Sequence, residues 1–228
     1  MKQLALDFGF APGPTFDNFH VGINAQAVEH VYSVTHAATP AVVPTYLWGE
    51  TGSGKSHLLH AVHAALRGQG VGVGWMDANV AAPVDFDEHW QAVLLDDVQH
   101  YSAAQQAAAF NWFVNAISPL EGAPRWVLAA GLLPPADLPL RDDLRTRLGW
   151  GVVFQLHVLG EAQRRAVVRQ RAQERGLTLP SDVLDYMLGH FPRDLGSLLQ
   201  LLDRLDSFAL SAQRAITIPL LKTMLDTE

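Results

Sequence analysis

Apolar positions in this chain follow two rhythms, and the change between them falls near residue 159. Before it, short unbroken apolar runs alternate with stretches at helical spacing. The runs are Tyr46-Leu47-Trp48, Val71 to Met76, Ala92 to Leu95, Trp126 to Ala130 and Val152 to Leu156. Runs this short with no internal polar alternation predict strands buried on both faces, as in a parallel sheet covered by helices. The intervening helices are predicted over about Ala25 to Ala37, from Ser56 onward with Leu58, Leu59, Val62 and Leu66, and over Gln105 to Ile117. In the last of these Phe110, Phe113, Val114 and Ile117 share a face at helical spacing.

After Leu159 the strand signals stop. Glu161 to Arg175 reads as a helix ended by Gly176, and Ser181 is placed to cap a helix through Phe191. Asp194 to Ala209 and Pro219 to Leu225 complete an all-helical segment. The expected organisation is a peptide and Gly/Pro-rich tether over 1–14, an α/β domain over 15–159 and a helical domain over 160–228.

Composition narrows the classes. Of 228 residues, 49% are hydrophobic and 17% charged, which argues against a disordered chain. The absence of cysteine removes thiolate metal sites, disulfides and thiol nucleophiles. No stretch reaches the roughly 18 apolar residues of a membrane span, and Asp7 breaks the N-terminal apolar run. A cytoplasmic protein that does not engage a membrane is expected. Net charge is −7, and no Lys or Arg occurs between Gly68 and Pro124, so that stretch offers no phosphate-tracking groove. Sequence-specific DNA binding is not expected.

The chemistry concentrates in Gly49-Glu50-Thr51-Gly52-Ser53-Gly54-Lys55-Ser56, a full P-loop between a predicted strand and a predicted helix. Its glycines let backbone N–H groups turn inward around phosphate, and the helix behind it adds its positive end. Lys55 is expected on the β- and γ-phosphates and the Ser56 hydroxyl on Mg²⁺. Asp96 and Asp97 end the apolar run Ala92 to Leu95. Asp96 is assigned to the magnesium shell and Asp97 to positioning the attacking water. The expected cofactors are ADP or ATP with Mg²⁺.

These residues, with what surrounds them, resemble the AAA+ family and, within it, the DnaA/Hda family of replication proteins. Thr15-Phe16-Asp17-Asn18-Phe19 with Val21, Gly22 and Asn24 looks like the segment ahead of the DnaA core. The resemblance implies adenine contacts there, and it places Thr51, Gly52, Ser53, Gly54 and His57 with the nucleotide. Leu144-Arg145-Thr146-Arg147-Leu148-Gly149-Trp150-Gly151 resembles the arginine-finger segment, which makes Arg147 the finger aimed at a neighbour's γ-phosphate. Pro192-Arg193-Asp194-Leu195 resembles sensor 2 and assigns Arg193 to the chain's own nucleotide. The implied fold is an AAA+ core with a parallel sheet, followed by a small all-helical lid.

Two features depart from DnaA. The stretch Ala129-Ala130-Gly131-Leu132-Leu133-Pro134-Pro135 carries no polar sensor 1 side chain, so the chain's own hydrolysis is expected to be weak. The length resembles that of the shorter relatives, and the DNA-binding domain that DnaA carries is not expected.

Near the N-terminus, Gln3-Leu4-Ala5-Leu6-Asp7-Phe8 resembles the peptide by which bacterial replication proteins bind the polymerase III sliding clamp, the β subunit. Gln3 would form amide hydrogen bonds while Leu4, Leu6 and Phe8 face an apolar cleft. The resemblance implies a negative regulator of replication initiation, tethered to the clamp, whose Arg147 stimulates hydrolysis of DnaA-bound ATP. Self-association as a homodimer is compatible with a finger acting in trans. Two alternatives stay open: a DnaA-like ATP-driven remodeller or loader, and a nucleotide-gated clamp adaptor without catalytic effect. His57, His60 and His63 at intervals of three, and the arginine-rich helix with Arg164, Arg165, Arg169, Arg171 and Arg175, read as a helix face and a solvated surface.

Overall fold

The computed structural model describes residues 13–37, 43–191 and 194–227. Two compact units divide the chain: Ala25–Trp48 and Gly54–Gln155 with the residues up to Phe19, and His20–Asn24 and Gly49–Ser53 with the residues from Leu156 on. No helix among the described residues is long and apolar enough to cross a membrane.

The first unit is built on a five-stranded sheet in the order β2-β3-β4-β1-β5, with β1 Thr45–Trp48, β2 Val73–Met76, β3 Ala92–Leu95, β4 Trp126–Gly131 and β5 Val152–Gln155. Every pairing is parallel. Successive strand residues point to opposite faces, so each central strand feeds two layers. Val93, Leu95, Val127, Ala129 and Tyr46 join the core around α3 (Ala103–Ile117), while Leu47, Leu94 and Leu128 are fully buried as well. α1 (Ala25–Thr35) and α2 (Lys55–Gly68) pack together, with α2 against β4. The expectation of an α/β fold on a parallel sheet is met.

Three expectations of detail are corrected. The buried face of α3 is Gln105, Ala109, Trp112, Phe113 and Ala116; of the expected stripe only Phe113 lies at its centre, while Phe110 and Ile117 pack partly buried against the core. Trp112, whose indole N–H reaches the Val84 carbonyl at 3.1 Å, is the bulkiest fully buried side chain, and the alanines let the helix approach the sheet. The strand β5 lies at the sheet edge and is not covered on both faces, since Val153 remains 37% exposed. The residues between Arg141 and Gly149, for which the apolar pattern predicts no element, form a short helix α4, Asp142–Leu148, started by two aspartates.

The second unit holds α5 (Glu161–Glu174), α6 (Ser181–His190), α7 (Leu195–Ala212) and α8 (Ile218–Asp226) around a core that includes Val168, Leu184, Met187, Leu202 and Leu221. Asp194 caps α7 by accepting the Ser197 N–H at 2.7 Å, and Thr217 caps α8. Ser181 does not cap α6. It is the first helical residue, because Pro180 takes the N-cap position, where its fixed φ and missing N–H suit the chain's entry into the helix.

Candidate functional site

The P-loop owes its shape to glycines in conformations closed to other residues. Gly49, Gly52 and Gly54 have φ of 152°, 81° and 97°. A side chain at Gly54 would also meet the Phe19 ring at 2.6 Å, and one at Gly52 would meet the Asp194 Cβ at 2.5 Å. α2 then begins at Lys55 with no side-chain cap and no acidic residue in its first turn. Its leading N–H groups and dipole therefore point at a position that favours an anion. Lys55 is buried, and desolvation lowers its pKa against the opposing pull of Asp97 and Asp96.

The sheet delivers the two carboxylates. Asp96 follows β3 directly and is 4% exposed. Burial raises its pKa, opposed mainly by a hydrogen bond from the Ser56 side chain. A carboxylate and a hydroxyl held together form a small oxygen set suited to Mg²⁺, which takes its other ligands from phosphate and water. Among the described residues no group of three His, Cys, Asp or Glu side chains could hold a metal by itself. Asp97 sits in the left-handed region with φ of 50°, a strained conformation for a residue other than glycine. It is tied in place by Gln99, whose amide donates to Asp97 Oδ1 at 3.2 Å and accepts the Leu132 N–H at 2.9 Å.

That link revises the reading of residues 129–135. The stretch itself offers no polar side chain, yet the Gln99 amide and the Tyr46 hydroxyl both reach its middle, at Leu132 and Leu133. Tyr46 donates to the Leu133 carbonyl at 2.8 Å. Sequence reasoning singles out neither residue. The short spacing from Asp97 to Gln99 is the only signal for the first; for Tyr46 there is none.

The segment before the core is held firmly. His57 Nε2 lies 3.0 Å from the Thr15 carbonyl, and the His57 ring meets Phe19 edge-on at 5.4 Å. The Asn24 amide is taken up by one backbone partner, donating to the His157 carbonyl at 2.9 Å and accepting the His157 N–H at 2.8 Å. Val21 and Gly22 are exposed, and a side chain at Gly22 would strike Leu159. Thr51 is exposed and Ser53 buried. Arg193 and the peptide Gln3, Leu4, Leu6 and Phe8 lie outside the described residues.

Arg147 stands near the end of α4 with its guanidinium over two rings, 4.9 Å from the Phe110 centroid and 4.7 Å from that of Trp150. The arginines beside it are used locally. Arg141 pairs with Asp143 and Arg145 with Asp142, each at 2.6 Å. In α5, Arg165 pairs with Glu161 and Asp185 and Arg171 with Glu174, and Arg175 at its C-terminal cap pairs with Asp203 and Asp206. Arg164 is buried with Nη1 on the Leu159 carbonyl. His60 stacks on Trp75 at 4.5 Å.

A parallel sheet in this order, with a phosphate-type loop after β1 and paired acids after β3, followed by a helical lid, defines an AAA+ P-loop protein. The family model for the lid domain of Hda matches residues 161–225, and that for the bacterial DnaA ATPase domain matches residues 11–79. The chain is an AAA+ protein related to Hda and DnaA. Among solved structures, domain III of the replication initiation protein DnaA from Thermotoga maritima superposes with a TM-score of 0.75 at 19% identity, over 95% of this chain and 97% of that one. AMPPCP-bound DnaA from Aquifex aeolicus gives 0.64 at 22% identity, over 83% of this chain and 64% of that one. The RuvB Holliday junction branch migration motor from Thermotoga maritima gives 0.65 at 13%, covering 94% and 72%.

Proposed function

We propose that the chain binds an adenine nucleotide with Mg²⁺ and acts as a cytoplasmic, Hda-like negative regulator of replication initiation. In this reading Lys55 and the backbone of Thr51 to Gly54 hold the phosphates, Ser56 and Asp96 take the metal, and Asp97 orients water. Phe19, Val21, Gly22, Asn24 and His57 flank the base, and Arg193 approaches the phosphates. Magnesium would supply charge neutralisation at the phosphates. Arg147 is the finger offered to ATP held by DnaA, and residues 3–8 tether the chain to the sliding clamp. The tether is taken as 1–14, the α/β domain as 15–159 and the lid as 160–228. AMPPCP bound to a DnaA relative supports the choice of an adenine nucleotide.

The observation that carries this reading is Arg147. Among the described residues it makes no ion pair, while Arg141 and Arg145 in the same segment are paired. A guanidinium with unused in-plane donors suits a phosphate on another molecule. The remodeller alternative gains little, because most of the α5 arginines are engaged within the chain. The test is hydrolysis of DnaA-bound ATP with clamp loaded on DNA. Wild type should stimulate it, while Arg147→Ala and a variant lacking residues 1–8 should not. Equal stimulation by wild type and Arg147→Ala would falsify the finger assignment.

A further inference from the structure

The sequence Gly149-Trp150-Gly151 after the arginine has a structural purpose visible in the backbone. Gly149 ends α4, its N–H bonding the Thr146 carbonyl at 3.2 Å, and the Trp150 N–H returns to the Arg147 carbonyl at 3.1 Å. This tight return lays the indole over Arg147. Gly151 then passes so close to the Pro44 carbonyl that any side chain there would collide with it, which fixes the direction of the chain into β5. Trp150 stays 59% exposed, unusual for the largest apolar side chain unless its face is used. Phe110 supplies the second ring from α3, partly buried against the sheet core.

We propose that Phe110 and Trp150 form an aromatic clamp that holds the Arg147 guanidinium with its N–H edge turned outward, making both rings positioning residues for the contact with phosphate on a neighbouring AAA+ molecule. The inference rests on the finger assignment above. A ring stacked on the guanidinium face attracts the cation through its quadrupole and leaves the in-plane donors unused. A carboxylate partner, as on Arg141 and Arg145, would consume those same donors. The clamp thus orients a long, rotamer-rich side chain without occupying its recognition edge, and removes ordering that would otherwise accompany the trans contact. Phe110 also carries Arg141 on its ring at 5.4 Å, with Arg141 itself anchored to Asp143, so the shared ring is braced from a second cation.

The experiment uses the chain of residues 1–228 as Trp150→Ala, Trp150→Phe and Arg147→Ala, titrated into clamp-dependent hydrolysis of DnaA-bound ATP. Trp150 is exposed, so its replacement leaves the core untouched. Trp150→Ala should lower the maximal stimulated rate about tenfold, with the half-saturating concentration changed less than about threefold, and Trp150→Phe should recover most of the loss. If Arg147→Ala abolishes stimulation while Trp150→Ala matches wild type, the clamp is wrong and the finger stands. If Arg147→Ala retains stimulation, the finger assignment fails. The clamp is then judged by NMR alone: the Arg147 δ-methylene and Nε–H resonances should shift upfield from ring currents and move back in Trp150→Ala. Unshifted Arg147 resonances in the wild-type chain overturn the clamp whatever the hydrolysis assay gives.

Discussion

Gly131 closes β4 with no positive φ to demand glycine, so the need for a residue without a side chain must come from a neighbour. The neighbour is the Tyr46 hydroxyl, which a β-carbon at 131 would overlap, with Val98 Cγ2 at 3.0 Å and Gln99 Oε1 at 3.2 Å beside it. Tyr46 is 1% exposed and cannot swing aside into solvent. Gly131→Ala therefore overpacks the corner, at about 1–3 kcal/mol, and breaks the Tyr46–Leu133 hydrogen bond, about 1 kcal/mol more. Tyr46→Phe alone loses only that bond, about 1 kcal/mol. In the double variant the hydroxyl is gone and the methyl occupies part of its space. Its destabilisation should be about 2 kcal/mol, against about 4 for the sum of the singles, a coupling near 2 kcal/mol. Urea unfolding followed by tryptophan fluorescence is the assay. All six tryptophans lie between Trp48 and Trp150, so the signal reports the α/β unit and not the helical one. Single and double variants that add within about 0.5 kcal/mol would refute the reasoning.

Asp96→Asn should raise the melting temperature of the nucleotide-free protein at pH 7 by a few degrees. Burial raises the Asp96 pKa, so the folded state holds its proton to higher pH than the unfolded chain does. Stability from this group is therefore lost as pH climbs from the ordinary carboxylate pKa toward the folded one, and the variant's advantage should shrink in acid. With Mg²⁺ and ATP the order should reverse, since only wild type gains from metal-dependent binding; a variant that melts lower without ligand would count against this account. Asn24→Ala should leave the His157 N–H and carbonyl unpaired, weakening that region by about 2 kcal/mol. Hydrogen exchange at the His157 amide should then accelerate about 30-fold, and unchanged protection would show that the Asn24 bonds are dispensable.

The strands were legible because an unbroken apolar run such as Ala92 to Leu95 is too short for a helix and fits a strand buried on both faces. Each appears with its ends shifted by no more than about two residues. The face of α3 was legible only in part: Phe113 is buried as its spacing implies, but shape decides the rest, with Trp112 filling the gap and the alanines at 109 and 116 setting the approach. Helix α4 is not legible in the sequence because seven residues rich in charge give no apolar period. At the site, Lys55, Ser56, Asp96 and Asp97 were readable from motif spacing, and the structure brings Ser56 to Asp96. Gln99 and Tyr46 were not readable, since their meeting with residues 131–133 depends on strand order.

Strand order also explains how a corner without polar side chains of its own acquires them. β3 lies beside β4 and β4 beside β1, with Leu95 level with Ala129 and Trp48 level with Gly131. The ends of three strands therefore open on one edge of the parallel sheet, the edge where such folds bind ligands. A residue just past β3 can reach the end of β4, as Gln99 does, and a long side chain from within β1 can do the same, as Tyr46 does. Once Tyr46 fills the space above Gly131, position 131 has no room for a polar side chain, and the contact must come from elsewhere. Gln99 meets that need while holding Asp97 in its left-handed conformation, so one amide ties the turn after β3 to the turn after β4. Apolar residues at 129–133 thus say little by themselves about the polarity of the corner they enclose, because the polar atoms come from the strands on either side.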